Sequence, residues 1–127
     1  MKYLCLVYLD EKSMGAMSEQ EWAALNRECI NCSDGMRESG HWLAGHPLES
    51  VQTATTLRVR NGKLSMTDGP FAETKEQLAG FYLIEARDLN EALQVASKIP
   101  PARYGSVELR PVRDLERFRE TSSAPQR

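Results

Sequence analysis

Ionisable side chains are concentrated between Thr67 and Ala86, where a turn leads into an apolar run. Asp68-Gly69-Pro70 is typical of a chain reversal, and the run from Gly80 to Ile84 is typical of a buried strand. A carboxylate beside a lysine in a partly dry cleft can act as a general base or bind a polar ligand. On this basis the catalytic candidates are Asp68, Lys75 and Glu76, and Glu73 is a ligand-binding candidate.

The same segment also has a purely structural interpretation. In a turn, Asp68 accepts hydrogen bonds from backbone N–H groups, and Gly69 adopts a backbone angle that other residues resist. Pro70 then fixes the direction in which the chain leaves the turn. If residues 73–77 form one helical turn, Glu73 and Glu76 lie on one side of it. The alternative to a functional loop is therefore a solvated turn with a weak ion pair, worth under about 1 kcal/mol.

Further ligand-binding candidates lie on predicted strands and loops. His41 and His46 face opposite sides of a regular strand, and His46, near the strand end, can line a pocket and carry protons near neutral pH. A hydrogen-bonded structural histidine is the alternative. The remaining candidates would line the mouth of a pocket, although aromatic strand residues also pack in cores. They are Tyr8, Tyr82 and Arg103.

The Cys29-x-x-Cys32 pair lies in the middle of a predicted helix, whereas a redox-active cysteine is typically placed at a helix N-terminus. The pair belongs to an apolar helical stripe formed by Trp22, Leu25, Cys29, Cys32 and Met36. Structural zinc needs four ligands, and only Cys5, His41 and His46 remain to complete the set. We therefore expect core cysteines, with no metal and no cofactor.

Composition argues against two classes of partner. The chain has 127 residues and a formal net charge of −2, with Lys and Arg spread along it. We expect no direct nucleic-acid binding, because phosphate recognition requires a concentrated basic face. The longest apolar run, Tyr3 to Leu9, is too short for a membrane span, and charges rather than a cleavage site follow it. A cytoplasmic protein without membrane contact is the expectation.

The predicted order of elements is β-α-β-(hairpin)-β-α-β. Ser18 and Asp88 begin helices with capping boxes, and Asn61-Gly62 predicts a two-residue hairpin. This order predicts an α+β domain of ferredoxin-like split βαβ topology, with an inserted β-hairpin and an antiparallel sheet carrying two helices on one face. The domain is predicted over residues 1–113, followed by a partly disordered C-terminal tail over residues 114–127.

The first predicted strand indicates a homodimer. Lys2 to Leu9 is apolar on both faces, as in a central strand that is covered on both sides. Two helices cover only one face of a sheet, so a monomer would expose a large apolar patch. Packing that patch against a second copy around a two-fold axis removes it from water.

The segment from Asp68 to Phe81, called the signature segment below, resembles the signature of the DGPF branch of the YCII-related domain family. The resemblance lies in Asp68-Gly69-Pro70-Phe71, Ala72-Glu73-Thr74-Lys75-Glu76 and Gly80-Phe81. The resemblance extends from Met1 to about Val112 and implies a dimeric α/β barrel. Some members carry a histidine in the first helix, paired with an aspartate in a proposed catalytic role. Residues 18–39 contain no histidine, so that role is not carried over.

The candidate residues and the family resemblance together suggest three classes of function. The first is a homodimer that binds a small molecule in a pocket near the Asp68–Phe71 loop. The resemblance implies a second, a regulatory or sensing module associated with an extracytoplasmic-function sigma factor. The third is a cofactor-free lyase, isomerase or oxygenase-type enzyme, by analogy with other dimeric α/β barrels. Neither the residues nor the resemblance assigns a reaction.

Overall fold

The structure, a computed structural model, describes residues 1–121. The helices and strands are β1 (Lys2–Leu9), α1 (Glu11–Met14), α2 (Glu19–Glu38), β2 (Trp42–Pro47), β3 (Thr55–Arg60), β4 (Lys63–Asp68), β5 (Gln77–Glu85), α3 (Leu89–Ala96), β6 (Ser106–Pro111) and α4 (Leu115–Thr121). Short 3₁₀ helices lie at Val51–Thr53 and Pro100–Arg103. Among these described residues, no helix has the length and apolar character needed to cross a membrane.

Four strands form an antiparallel sheet in the order β2-β5-β1-β6, which places β1 and β5 in the middle. In β1, Tyr3 lies opposite Ile84 of β5 and opposite Pro111 of β6. Strands β3 and β4 form a separate two-stranded sheet. The α+β class is confirmed, and the arrangement is compatible with a ferredoxin-like fold that carries a hairpin between β2 and β5.

Of the two predicted capping boxes, the one at Ser18 is complete and the one at Asp88 is present in part. The Ser18 hydroxyl accepts a bond from the Glu21 N–H at 3.1 Å, and the Glu21 carboxylate accepts one from the Ser18 N–H at 2.9 Å. At α3, Asp88 accepts a bond from the Glu91 N–H at 2.9 Å, while the Glu91 carboxylate accepts one from the Arg87 N–H. In each helix the N-cap side chain satisfies a backbone donor that the first turn leaves unpaired, so both helices begin where local sequence predicts. The second box is incomplete because the Glu91 carboxylate bonds to Arg87, the residue before the N-cap.

The hydrophobic core lies between one face of the sheet and the helices. Alternate residues of β1 point into it, and all four are buried: Tyr3, Cys5, Val7 and Leu9. The helices contribute buried apolar side chains to the same cluster, namely Leu25 and Met36 from α2 and Ala92, Val95 and Ala96 from α3. Because all of them pack against one face, the sheet has a covered face and an open face.

The open face is also apolar at its centre. Leu4, Leu6 and Tyr8 of β1 point to it and are only half-buried. Leu4 lies opposite Leu83 of β5, and Leu6 lies opposite Phe81. This is the two-sided apolar pattern from which a dimer was inferred, and within one chain nothing in residues 1–121 buries it as the helices bury the other face.

The β3–β4 hairpin turns at Asn61 and Gly62, which have φ angles of 52° and 75°. Two successive positive φ angles are those of a type I′ turn, as the Asn-Gly pair predicts. Four aliphatic side chains on the hairpin pair with each other across the strands and are more than half exposed. They are Leu57 opposite Met66 and Val59 opposite Leu64.

The structure differs from the predicted elements in four respects. Helix α1 occupies part of the expected loop from Asp10 to Met17, and β5 begins at Gln77 rather than at Gly80. Between β4 and β5, residues 69–76 form no helix, so the conditional helical turn at 73–77 is wrong. Helix α4 lies within the predicted tail, whose residues 122–127 are outside the described part of the chain.

Candidate functional site

The Asp68-Gly69-Pro70 segment is a turn at the end of the hairpin. Gly69 has a φ of +96°, a conformation that glycine adopts at little cost. Its N–H donates to the Ala54 carbonyl at 2.7 Å, and its carbonyl accepts from the Thr56 hydroxyl at 2.7 Å. Asp68 is exposed, and within residues 1–121 its carboxylate accepts none of the hydrogen bonds expected of it in the turn.

The segment that follows the turn is held by Gln77 and Glu11. The Gln77 amide accepts a bond from the Glu11 N–H at 2.9 Å and donates to the Thr74 carbonyl at 2.6 Å. The Glu11 carboxylate accepts bonds from the Ser50 hydroxyl at 2.8 Å and the Val51 N–H at 3.0 Å. These two side chains therefore join three segments that are distant in sequence: Glu11, residues 50–51 and residues 74–77. No sequence motif predicts this role.

Two of the predicted site residues approach the same strand at the open face. Glu76 accepts a bond from the Ser106 hydroxyl at 2.8 Å, and Tyr8 lies opposite Ser106 in the β1–β6 register. The Tyr8 hydroxyl donates to Glu108 at 3.4 Å. Desolvation, with the Glu108 carboxylate adding to it, raises the pKa of Tyr8 above its ordinary value.

The other residues of the signature segment do not join this pair. Glu73 and Lys75 are exposed, as is Asp68. Across residues 1–121, no ion pair connects Lys75 with Glu73 or Glu76. The catalytic roles of Asp68, Lys75 and Glu76 and the ligand-binding role of Glu73 stay predictions.

A groove of about 650 Å³ lies between α2 and the edge of the sheet formed by β2 and β5. It opens on the covered face, because Tyr82 lines it and is opposite the buried Cys5 in the strand register. The helical wall consists of Leu25 and Cys29 from the core stripe and of a second row of α2 side chains at intervals of three and four residues: Trp22, Asn26, Ile30, Ser33 and Arg37. We call this the α2–β2 groove.

Aromatic rings line the sheet side of the α2–β2 groove. The rings of Trp42 and Tyr82 meet edge to face, with their centroids 6.0 Å apart. Trp42 lies against Gly45, where an added Cβ would be 2.8 Å from Cη2 of the indole and 3.0 Å from the Phe81 carbonyl oxygen. The absence of a side chain at Gly45 therefore leaves the space that the Trp42 ring occupies.

The titratable groups on the inner wall of the groove retain their protons. Burial raises the pKa of Tyr82, and the neighbouring Cys29 and Cys32 raise it further. Burial also raises the pKa of the thiol of Cys29, which lines the groove, and of Cys32, which packs against the core outside the lining. Tyr82 thus keeps a hydroxyl proton to donate, whereas neither thiol is activated as a nucleophile.

Arg37 stands at one end of the groove. Its guanidinium carbon is 4.3 Å from the centre of the Trp42 ring, within the range of a cation–π interaction. Its Nη1 is 3.2 Å from Asp34, and both side chains of this pair are more than half exposed. An ion pair so open to water contributes little free energy, so Arg37 is not committed to Asp34.

The remaining predicted site residues divide between the groove and the surface. His46 is exposed but lines the groove, and its ring centre is 5.9 Å from that of Phe81. Arg103 lies outside the groove and pairs with Glu28 at 2.9 Å. Cys29 and Cys32 pack against the core, as the apolar stripe predicts. In the part of the chain described, no three His, Cys, Asp or Glu residues are grouped to hold a metal ion.

Sequence reasoning missed most of the groove. Of its residues, it singled out only His46 and Tyr82 as ligand-binding candidates, and it assigned Trp22 to the core stripe although this side chain is 37% exposed. A second row on α2, offset from the core stripe, was the available signal: Trp22, Asn26, Ile30, Ser33 and Arg37. The mixed polarity of this row is also typical of an ordinary solvated helix surface. The row can be recognised as a groove wall only when the strands that pack beside α2 are known.

Comparison with known proteins decides the family. The sequence profile of the YCII-related domain matches residues 1–116. The chain belongs to the YCII-related domain family. It is also 40% identical over 114 residues to an uncharacterized protein of Rhizobium meliloti (strain 1021), covering 88% of this chain and 92% of that protein. The resemblance expected from the signature segment is confirmed, and this YCII-related domain has a relative of nearly the same extent.

Proposed function

We propose that this YCII-related domain binds a small, largely apolar molecule in the α2–β2 groove and that it acts as a homodimer. The observation that carries the proposal is the groove itself, an open space of about 650 Å³ on an otherwise covered face. Ligand sites in proteins are typically clefts of about 300–1,000 Å³ with apolar and aromatic walls and a few polar groups. The α2–β2 groove fits that description in size and in lining.

The lining favours binding over covalent chemistry. Trp22, Trp42 and Tyr82 offer broad apolar surfaces, and Asn26 and Ser33 add polar groups that can orient a ligand. The raised pKa values of the Tyr82 hydroxyl and the two thiols keep these groups protonated at neutral pH. A nucleophilic mechanism requires the opposite shift, so the groove is better suited to recognition.

The open face of the sheet supports the homodimer. Leu4, Leu6, Phe81 and Leu83 form an apolar strip there, half-buried within the single chain. A second copy placed face to face would remove this strip from water, at about 25 cal/mol for each Å² of apolar surface. Most of the groove, including Tyr82 and the α2 side chains, lies on the opposite side of the sheet, so dimerisation leaves it accessible except at the Phe81 and His46 rim.

Fluorescent dye titration tests the binding proposal. The neutral dye N-phenyl-1-naphthylamine should bind saturably and quench tryptophan emission, since both tryptophans of the chain, Trp22 and Trp42, line the groove. Asn26→Phe should reduce the affinity because it fills the groove. Asn31→Phe is the matched control, an exposed asparagine on the same helix outside the groove. Equal effects of the two variants, or no saturable binding, would contradict the proposal.

Sedimentation velocity tests the dimer. At micromolar concentration we expect twice the chain mass. Leu6→Glu places a charge in the open face and should yield monomers, because a desolvated carboxylate at an interface is costly. Leu93→Glu makes the same charge change on the exposed surface of α3 and should leave the dimer intact. A wild-type monomer would refute the dimer but not the groove.

A further inference from the structure

We propose that the molecule bound in the α2–β2 groove is an organic anion with an aromatic or alicyclic body, and that Arg37 holds its negative charge. This inference rests on the proposed function and names the class of ligand for the same site. It follows from three properties of the groove: the sign of its charge, the geometry of Arg37 and the separation of its polar end from its apolar end.

The charges that line the groove have one sign. Arg37 is its formally charged side chain, and His46, at the rim, becomes positive when it is protonated. Over residues 1–121, the lining contains no Asp and no Glu. A neutral pocket would serve an uncharged apolar ligand, and a cationic ligand would meet the charge of Arg37, which the water-exposed Asp34 offsets only in part. The field within the groove therefore favours an anion.

The position of Arg37 leaves it able to bind a carboxylate. Stacking on an indole uses the flat face of a guanidinium and leaves its N–H groups free at the edge. Arg37 lies 4.3 Å from the Trp42 ring centre in such a contact, and within residues 1–121 it pairs with one carboxylate, that of Asp34, through one nitrogen at 3.2 Å. An Arg fork with edge donors to spare is the usual recognition group for carboxylates, sulfonates and phosphates.

The opposite end of the groove suits an apolar body. Trp22 lines it there, 37% exposed, and Leu48, which follows β2, also lines the groove and is 47% exposed. Ile30, 61% exposed, lies about midway between Trp22 and Arg37 on the helical wall. Along α2, at about 1.5 Å per residue, Trp22 lies roughly 22 Å from Arg37. The site is thus long enough for a ligand with a charged head near Arg37 and one or more rings toward Trp22.

Two dyes that differ by one charged group provide the test. Anilinonaphthalene sulfonate has the ring system of N-phenyl-1-naphthylamine and adds a sulfonate. Its affinity for the wild-type protein, at low ionic strength, should exceed that of the neutral dye by about tenfold, the equivalent of one charge-assisted hydrogen bond. The quantity to compare among variants is the ratio of the two dissociation constants, which cancels general effects on the groove.

Matched substitutions on α2 locate the charge. Arg37→Gln should abolish the preference for the anionic dye, whereas Arg27→Gln, an exposed arginine outside the groove with the same charge change, should retain it. A second pair of variants leaves the contact between Arg37 and the Trp42 ring intact. Asn26→Glu adds a carboxylate to the groove and should lower the preference, and Asn31→Glu on the same helix should not.

The outcomes separate this inference from the proposed function. If both dyes bind in the groove with equal affinity, the site takes neutral ligands and the anion inference is overturned while the proposed function stands. If the anionic preference persists in Arg37→Gln and in Asn26→Glu, the anion binds elsewhere and the inference is again overturned. If neither dye binds, the proposed function fails and the inference fails with it.

Discussion

The two faces of the central sheet are built from the same strand and differ in what covers them. In β1, Tyr3, Cys5, Val7 and Leu9 are buried under the helices, whereas the alternate residues Leu4, Leu6 and Tyr8 are half-buried. Both sets are apolar or aromatic, so composition does not distinguish them. The difference shows that two helices can cover only one face of the sheet. The apolar open face is then a surface of the kind that favours an interface with another molecule.

The covered face is itself uneven. Over β1 and β6 it is closed by the core cluster, but toward β2 it opens into the α2–β2 groove. Interior packing and an open groove therefore occur side by side on one face, and the signature segment lies elsewhere, at the hairpin and the start of β5. The region that marks the family in sequence is not the region that forms the groove with aromatic walls.

The largest expected effect comes from Ile84→Ala, on the covered face of β5. Ile84 is 0% exposed, and truncating a buried isoleucine to alanine costs about 2–5 kcal/mol through lost burial and the cavity left behind. Urea denaturation followed by circular dichroism measures the change in the free energy of unfolding.

The neighbouring Leu83→Ala is the matched control on the open face. At protein concentrations where the chain is monomeric, it should cost clearly less than Ile84→Ala, because Leu83 is only half-buried there. At higher concentration it should also weaken the dimer and make the denaturation midpoint depend more steeply on concentration. If the two variants lose equal free energy of unfolding in the monomer, the two faces do not differ in packing as the structure indicates.

An intermediate effect is expected from pH, through the buried thiol of Cys5. Burial raises the pKa of Cys5 from 9.0 to about 11. Because the folded state holds this proton more tightly than the unfolded chain, the stability from Cys5 is fully present below pH 9 and is lost as the pH rises toward about 11. The fall in the free energy of unfolding between those values should be smaller in Cys5→Val.

Alkylation provides an independent measure of the same thiol. Iodoacetamide labelling resolved by mass spectrometry should modify Cys29 and Cys32, which are half-buried, before Cys5, which is 0% exposed. Early labelling of Cys5 would show that the covered face opens more readily than its packing implies.

The smallest effect is expected from Tyr8→Phe on the open face. Its hydroxyl donates to Glu108 over 3.4 Å in an exposed contact, so its removal should change the free energy of unfolding by less than about 1 kcal/mol. Comparison of the wild-type and variant denaturation curves measures this change. A larger loss that appears only in the dimer would place the Tyr8 hydroxyl in the interface between the copies.

Several parts of the fold were predictable because their signals are local. The capping box at Ser18 and the N-cap at Asp88 each involve residues three apart, and the Asn61-Gly62 turn depends on two adjacent residues. The start of β5 at Gln77 was not predictable in this way, because Gln77 joins the strand while its side chain bonds to Glu11 and Thr74. No pattern within the segment reports a partner 66 residues away.

The amino-acid sequence by itself determined the family, the α+β class, the helix starts, the hairpin turn and the two-sided apolar character of β1. These properties follow from covalent neighbours, from side-chain periodicity and from a long signature. Only the tertiary structure decided which face of β1 the helices cover and which residues form the α2–β2 groove. Arg37, Trp42 and Tyr82 meet because α2 packs across two strands, and such contacts arise from the packing of distant segments rather than from any local pattern.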